Sequence, residues 1–212
     1  MRAADEAGLD TVWVVDHLIQ ADPMSMPDSE MLEAYTTLGL LAAHTRRVRL
    51  GTMVTAVTYR PPAMVIKAVT TLDALSGGRA WLGVGAGYLE QEARAMDVPL
   101  PLVSERFERL EETLRLALHM WTGDPSPFEG RHYHVERPVT NPPPLQQPPP
   151  ILIGGMGERK RCVLWRRMRM PATCSTSPTK ARRSGTSWTS SRDTATPPAA
   201  TTTRSRRPLA CG

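Results

Sequence analysis

The chain lacks long hydrophobic runs and a recognisable cysteine pattern. No stretch of about 18 consecutive apolar residues occurs in its 212 residues, so we expect no transmembrane helix. The first residues, Met1–Glu6, are polar and charged and lack the apolar stretch of a secretory signal peptide, which predicts a soluble, cytoplasmic protein. The three cysteines, Cys162, Cys174 and Cys211, have a spacing that fits neither a zinc site nor a redox pair.

Acidic residues are almost absent from the last quarter of the chain. Residues 161–212 contain 11 Lys and Arg but only one acidic residue, Asp193, whereas residues 1–160 contain 15 Lys and Arg and 20 Asp and Glu. Ser and Thr make up 17 of the 52 residues in the second region, and apolar periodicity disappears there. We therefore divide the chain into a folded region, 1–160, and a basic Ser/Thr/Arg/Pro-rich tail, 161–212, which we expect to be disordered.

A shift of reading frame after Lys160 would explain the change of composition. If one base is lost there, GC-rich codons for residues 161–176 can encode TLRLVAPDADACNLFN, and codons for residues 192–208 can encode GHCDTAGRDYDEIEKT in the same frame. Both strings have the acidic and amphipathic character of folded protein. We therefore expect the tail to be out of frame, and we prefer this reading to an Arg-rich nucleic-acid-binding segment, because the tail has no helical pattern.

Short apolar runs alternate with longer amphipathic stretches through residues 1–160. This alternation is typical of βα units around a parallel sheet. We predict strands at 11–15, 48–52, 80–84 and 151–153, and a hairpin over 128–135. We also predict four helices: one that ends at Gly8, one over 36–44, one from Pro61–Pro62 to Leu75, and one over 104–121 with Ser104 as N-cap.

Polar and small residues follow the predicted strands, where α/β proteins build their ligand sites. Asp16 and His17 follow the first strand, and a histidine there can donate a hydrogen bond or exchange a proton near neutral pH. A solvated loop histidine beside a capping aspartate is the ordinary alternative. His132 and His134 share one face of the predicted hairpin, but no nearby Cys or carboxylate pattern completes a metal site, so we predict none.

Five segments of the first 160 residues form a recognisable combination. They are AADEAGLDTVWVVDHL, RVRLGTMVTAVTYRPP, LDALSGGRAWLGVGAGYLEQE and SERFERLEETLRLALHMW, followed by PPPILIGGMGERK. In combination they resemble deazaflavin-dependent oxidoreductases of the luciferase-like monooxygenase family. The resemblance implies a TIM (β/α)8 barrel of the bacterial-luciferase type, of which only about strands 2–5 are present. It also implies the cofactor F420, or alternatively FMN, above the C-terminal strand ends.

The resemblance assigns roles to individual residues. It implies catalytic roles for Asp16, His17 and Glu90, although a solvated carboxylate at a helix start explains Glu90 equally well. The glycine-rich segment 83–87 lacks the GxGxxG spacing of a dinucleotide fingerprint, so contact with a flavin-type ring is the better interpretation. The resemblance implies cofactor contacts at the ring for Gly51, Thr52, Thr55, Gly83, Gly85, Ala86 and Gly87, and at a phosphate for Gly154 and Gly155. The alternative for all of these residues is an ordinary position in a strand or turn.

The activity implied is hydride transfer between F420 and a small organic substrate. An FMN-dependent monooxygenase that activates oxygen is the alternative within the family. An inactive fragment without cofactor binding is the alternative from outside it, since unpaired sheet edges would promote aggregation. Complete members of such a family are expected to be homo-oligomers, and neither nucleic acid nor membrane is an expected partner.

Overall fold

A computed structural model of the chain describes residues 2–22, 24–26 and 28–155, and the backbone of Ser175–Thr176. Helices and parallel strands alternate through most of this region, as the sequence predicts. The helices are α1 (Arg2–Glu6), α2 (Ala34–His44), α3 (Pro62–Ser76), α4 (Glu90–Ala95) and α5 (Val103–Thr122). The strands are β1 (Thr11–Val14), β2 (Arg49–Thr52), β3 (Thr55–Ala56), β4 (Ala80–Gly85), β5 (Phe128–Glu129), β6 (His134–Val135), β7 (Ile151–Ile153) and β8 (Ser175–Thr176).

Six strands form one sheet in which every pair is parallel. The order is β1-β2-β4-β7-β8, and the short β3 pairs with β4 beyond the end of β2. In register, Val14 of β1 lies opposite Thr52 of β2, and Leu82 of β4 lies opposite Ile151 of β7. Because the strands are parallel, their C-terminal ends meet along one side, which we call the carboxyl edge.

The two faces of this sheet have different surroundings. Alternate residues such as Leu50 and Leu82 are buried among the helices and form the hydrophobic core. The opposite face carries Trp13 and Trp81, whose rings meet edge to face at 5.5 Å. Gly51 lies between them in register, and a Cβ there would be 2.6 Å from the Trp13 ring, so this glycine makes room for the two indoles.

Helix starts are the least accurate part of the sequence prediction. α2 begins two residues earlier than predicted, where the Glu33 carboxylate accepts a hydrogen bond from the Thr36 amide at 2.7 Å. The prediction of Ser104 as N-cap of α5 is wrong, because the helix already begins at Val103 and Leu102 precedes it without a side-chain cap. The sequence also missed β3 and α4, which are too short for apolar periodicity to reveal.

The hairpin β5–β6 and the strand β7 are confirmed at their predicted places. Of the predicted tail, only the backbone of β8 is described, and it pairs with β7. The remaining predictions for residues 161–212, including those for the cysteines, lie outside the described residues. Within the described part of the chain, no helix combines the length and the apolar character needed to span a bilayer.

Candidate active site at the carboxyl edge

Two clusters of polar side chains lie at the carboxyl edge, and each contains one residue of the pair Asp16–His17. This pair follows β1. A second pair, Tyr59–Arg60, lies between β3 and α3. Tyr59 and His17 meet at one carboxylate, Glu92 of α4, whereas Arg60 binds Asp16 itself.

The Glu92 cluster consists of Glu92, His17, Tyr59 and the backbone amides of Leu18 and Ile19. The Glu92 side chain is completely buried. Its Oε2 lies 2.9 Å from Nδ1 of His17 and also accepts a hydrogen bond from the Tyr59 hydroxyl. Its Oε1 accepts from the Leu18 amide and, at 3.4 Å, from the Ile19 amide. Both carboxylate oxygens are therefore occupied by donors, which come from the loop after β1 and from the segment between β3 and α3.

The hydrogen bonds keep Glu92 ionised in spite of its burial. Burial alone would raise the pKa of this carboxyl, but the hydrogen bonds from Tyr59, His17 and the Leu18 amide outweigh it, and the pKa is lowered. For Tyr59, burial and the hydrogen bond to Glu92 both raise the pKa, so the hydroxyl stays protonated as a donor. The cluster is thus a buried anion surrounded by donors.

The Asp16 cluster consists of Asp16, Arg60, Thr55, Glu33 and Tyr35. Arg60 binds both carboxylate oxygens of the buried Asp16, at 2.7 and 3.0 Å, and Thr55 donates to the same group at 2.7 Å. The guanidinium also contacts Glu33 at 2.8 Å and lies 5.3 Å from the centroid of the Tyr35 ring. Burial and, to a smaller extent, the Asp16 charge raise the pKa of Tyr35 to about 12, although its hydrogen bond to Thr55 opposes this. All these groups are engaged with one another, which suits a structural clamp.

His17, which belongs to the Glu92 cluster, is partly exposed at the carboxyl edge. Its side chain is 20% exposed, and the ring meets Tyr88 edge-on with 5.9 Å between centroids. Val15, Met53 and Tyr88, which follow β1, β2 and β4, have exposed side chains. An imidazole in contact with the exposed Tyr88 ring fits a planar ring ligand, because such sites combine an apolar or aromatic surface with few polar groups.

Glu90 does not join His17. Its side chain is 76% exposed and pairs with Arg94, one turn along α4, at 3.2 Å. The carboxylate that reaches His17 is Glu92, on the buried side of the same helix. Sequence reasoning missed Glu92, since a six-residue helix gives no periodicity from which to choose its buried face. It also missed Tyr59 and Arg60, which lie in the irregular segment between β3 and α3. The catalytic role implied for Glu90 stays a prediction.

The threonines and glycines implied as ring contacts mostly contact the protein itself. Thr52 donates to the Gly83 carbonyl at 2.8 Å, and Thr55 is completely buried in the Asp16 cluster. A Cβ at Gly83 would lie 1.7 Å from the Thr52 carbonyl oxygen, and a Cβ at Gly85 would lie 2.8 Å from the Val54 side chain. These close approaches explain small residues at both positions without any ligand.

The remaining implied contacts differ in their surroundings. Gly154 also faces Val54, at 2.6 Å from an added Cβ, whereas Gly155 has positive φ and, among the described residues, no atom within 4 Å of an added Cβ. Gly87 also has positive φ, and Ala86 beside it is half-buried. Their cofactor roles stay predictions.

The hairpin histidines are bound by different carboxylates. His132 lies 2.8 Å from Glu108, and His134 lies 3.6 Å from Glu129. Within the described ranges, no three His, Cys, Asp or Glu residues are grouped closely enough to hold a metal ion.

Comparison with known proteins places these features in a family. The sequence model described as luciferase-like monooxygenase matches residues 1–204. An F420-dependent glucose-6-phosphate dehydrogenase from Kineococcus radiotolerans is 39% identical over 160 residues, 74% of this chain and 46% of that protein. The chain therefore spans about half the length of the relatives that it matches.

Solved structures show the same fold. An F420-dependent secondary alcohol dehydrogenase in complex with an F420–acetone adduct is 26% identical, with a TM-score of 0.66 over 76% of this chain and 48% of that one. Monooxygenase RslO1 from Streptomyces bottropensis is 27% identical, with a TM-score of 0.61 over 71% of this chain and 44% of that one. These neighbours are TIM-barrel enzymes, so the parallel sheet and its helices are confirmed as part of such a barrel.

Proposed function

The chain belongs to the luciferase-like monooxygenase family, and we propose that its carboxyl edge binds the deazaflavin F420 for hydride transfer to or from a small organic substrate. The observation that carries this proposal is His17, which is partly exposed, fixed by a buried carboxylate and in edge contact with the exposed ring of Tyr88. The names of two similar proteins, both F420-dependent dehydrogenases, support the choice of cofactor.

The residues present fit one face of a planar cofactor ring. Exposed apolar side chains follow β1, β2 and β4, at Val15, Met53 and Tyr88. Gly155, which has positive φ just after β7, is the residue that we assign to a phosphate contact. When bound, F420 supplies the hydride chemistry. The protein's contribution is to orient the ring, to keep water from it, and to hold or accept a proton at His17.

We infer that the substrate carries a hydroxyl group. Both named dehydrogenases act on such compounds, and removal of hydride from a carbinol carbon requires a second group to take the hydroxyl proton. Of the titratable side chains of the Glu92 cluster, Glu92 is buried and Tyr59 holds its proton in a hydrogen bond to Glu92, whereas His17 is partly exposed. Its imidazole is therefore the group to which we assign the proton.

An FMN-dependent monooxygenase is the second candidate. It is supported by the similarity to monooxygenase RslO1, which is as close in sequence as the alcohol dehydrogenase. The same apolar surface would accept an isoalloxazine ring. The two candidates differ in the cofactor that binds and not in the residues that hold it.

Binding spectra of the 212-residue chain test the proposal. We expect F420 absorbance and fluorescence to change saturably on titration, with FMN binding at least about tenfold weaker. Val15→Lys should weaken F420 binding by about tenfold or more, because it places a charge in the apolar surface. Ala43→Lys, at an exposed position of α2, adds the same charge as a control. Tighter binding of FMN would favour the monooxygenase, and binding of neither would favour the inactive fragment.

A further inference from the structure

The hydrogen-bond donors around Glu92 determine the protonation of the His17 ring. An ionised carboxylate has only acceptor positions, so every group within hydrogen-bond distance of it must donate. Nδ1 of His17 lies 2.9 Å from Oε2 of Glu92, which requires a proton on Nδ1. The second ring nitrogen, Nε2, has no hydrogen-bond partner among the described side chains.

We propose that Glu92 is a positioning residue that holds His17 as the Nδ1–H tautomer and so leaves Nε2 as the proton acceptor at the open surface. This inference rests on the proposed function, because it identifies the atom of His17 that would exchange a proton with substrate. It does not depend on which cofactor binds.

The geometry makes Glu92 an effective partner for this purpose. The carboxylate is held by the Leu18 and Ile19 amides on Oε1, so it cannot rotate away from the ring. Tyr59 donates its hydroxyl hydrogen to Oε2 beside the imidazole, so this oxygen is held by two donors. A hydrogen bond to a charged group is about twice as strong as a neutral one, and burial strengthens it further.

The other charged groups near His17 do not compete for the ring. Asp16, its neighbour in the chain, is bound at both oxygens by Arg60. Glu90 of α4 pairs with Arg94 at the exposed side of the helix. Tyr88 meets the imidazole through its ring edge. Glu92 is thus the carboxylate that selects the tautomer.

Nuclear magnetic resonance of the unliganded 212-residue chain tests the inference directly. Long-range ¹H–¹⁵N correlation spectra at about pH 8, where histidines are mostly neutral, distinguish the two tautomers. His17→Asn identifies the His17 signals among those of the five histidines. We expect the Nδ1–H form to exceed the Nε2–H form by about tenfold or more. A dominant Nε2–H form in the unsubstituted chain would overturn the inference without any variant.

Glu92→Gln keeps the size of the side chain but introduces an amide N–H, from which an unprotonated Nδ1 of His17 can accept a hydrogen bond. We expect the tautomer ratio to fall by about tenfold or more in this variant. Glu90→Gln, two residues away on the same helix, should leave the ratio unchanged because its side chain does not contact His17. An unchanged ratio in folded Glu92→Gln, or an equal change in Glu90→Gln, would contradict the assignment.

Failure of the tautomer assignment can be distinguished from failure of the proposed function. The tautomer is measured without cofactor, whereas the proposed function is tested by cofactor binding. If the Nδ1–H form dominates and neither F420 nor FMN binds, the positioning role stands and the cofactor proposal fails.

Discussion

At the scale of single residues, the Asp16–Arg60 pair shows how a strand end is held in place. The Asp16 side chain is 1% exposed and that of Arg60 is 22% exposed, so the pair is largely removed from water. Removing one member of a buried pair is costly, because the other charge is left without compensation. Here Arg60 would still contact Glu33.

We predict that Asp16→Asn lowers the free energy of unfolding by roughly 3 kcal/mol, the low end for breaking a buried pair because Glu33 still contacts Arg60. Urea denaturation followed by circular dichroism measures this change. Arg94→Ala, which removes a pair exposed on both sides, should change stability by no more than about 0.5 kcal/mol. Equal losses of unfolding free energy in Asp16→Asn and Arg94→Ala would show that the buried Asp16–Arg60 pair stabilises the fold no more than an exposed pair.

The close approach at Gly83 gives a second prediction. Gly83→Ala should destabilise the protein by about 3 kcal/mol or prevent folding, because the new Cβ would overlap the backbone carbonyl of Thr52, which cannot move independently of β2. Gly39→Ala is the matched control, since nothing lies within 4 Å of its added Cβ and it is inside α2. It should stabilise the helix by up to about 1 kcal/mol. Thermal unfolding of both variants measures the difference, and tolerance of alanine at Gly83 would refute the close approach.

At the scale of elements, Asp5 joins α1 to the start of β2. Its carboxylate accepts hydrogen bonds from the backbone amides of Arg46, Arg47 and Val48 at 2.8 to 2.9 Å. These bonds, with the one from Val48 the strongest, lower the pKa of Asp5 from 3.8 to about 2. Because the folded-state pKa is depressed, the stabilisation is present above about pH 4 and is lost as the pH falls towards 2.

We predict that Asp5→Asn lowers the thermal unfolding midpoint at neutral pH, and that the gap to the unsubstituted protein narrows as the pH falls from about 4 towards 2. A series of melting curves across this range measures the gap. Glu6→Gln, at the neighbouring exposed position of α1, should show no such narrowing. A gap for Asp5→Asn that stays constant down to the lowest pH would contradict the assigned role.

At the scale of the whole molecule, the edge of the sheet at β1 is the most consequential feature. Within the described residues β1 pairs only with β2, so its other side presents unpaired backbone groups. Such an edge is a template for pairing with another chain. The chain also spans only about half the length of its relatives.

We predict that the 212-residue chain associates in a concentration-dependent way through β1. Thr11→Lys places a charge at this edge and should reduce association, as charged side chains do on natural edge strands. Ala43→Lys adds the same charge on α2 and should leave association unchanged. Sedimentation velocity at several concentrations measures both, and equal behaviour of the two variants would exclude β1 as the contact.

The sequence by itself determined the architecture and placed Asp16 and His17 at the end of β1. Alternating strand and helix patterns are local, so the strands at 11–15, 48–52, 80–84 and 151–153 could be predicted within a residue or two. Parallel pairing then requires that their C-terminal ends share one edge, which placed Asp16 and His17 there. The family resemblance rests on the same segments and is confirmed.

Only the tertiary structure decided which side chains work together at that edge. His17 and Glu92 are 75 positions apart, and no periodicity of the chain distinguishes Glu92 from Glu90. Likewise, Thr55 carries a hydroxyl that could have faced a ligand, but packing against Asp16 and Tyr35 commits it to the protein. Partners distant in sequence are set by how helices dock on the sheet, and a local pattern does not contain that information.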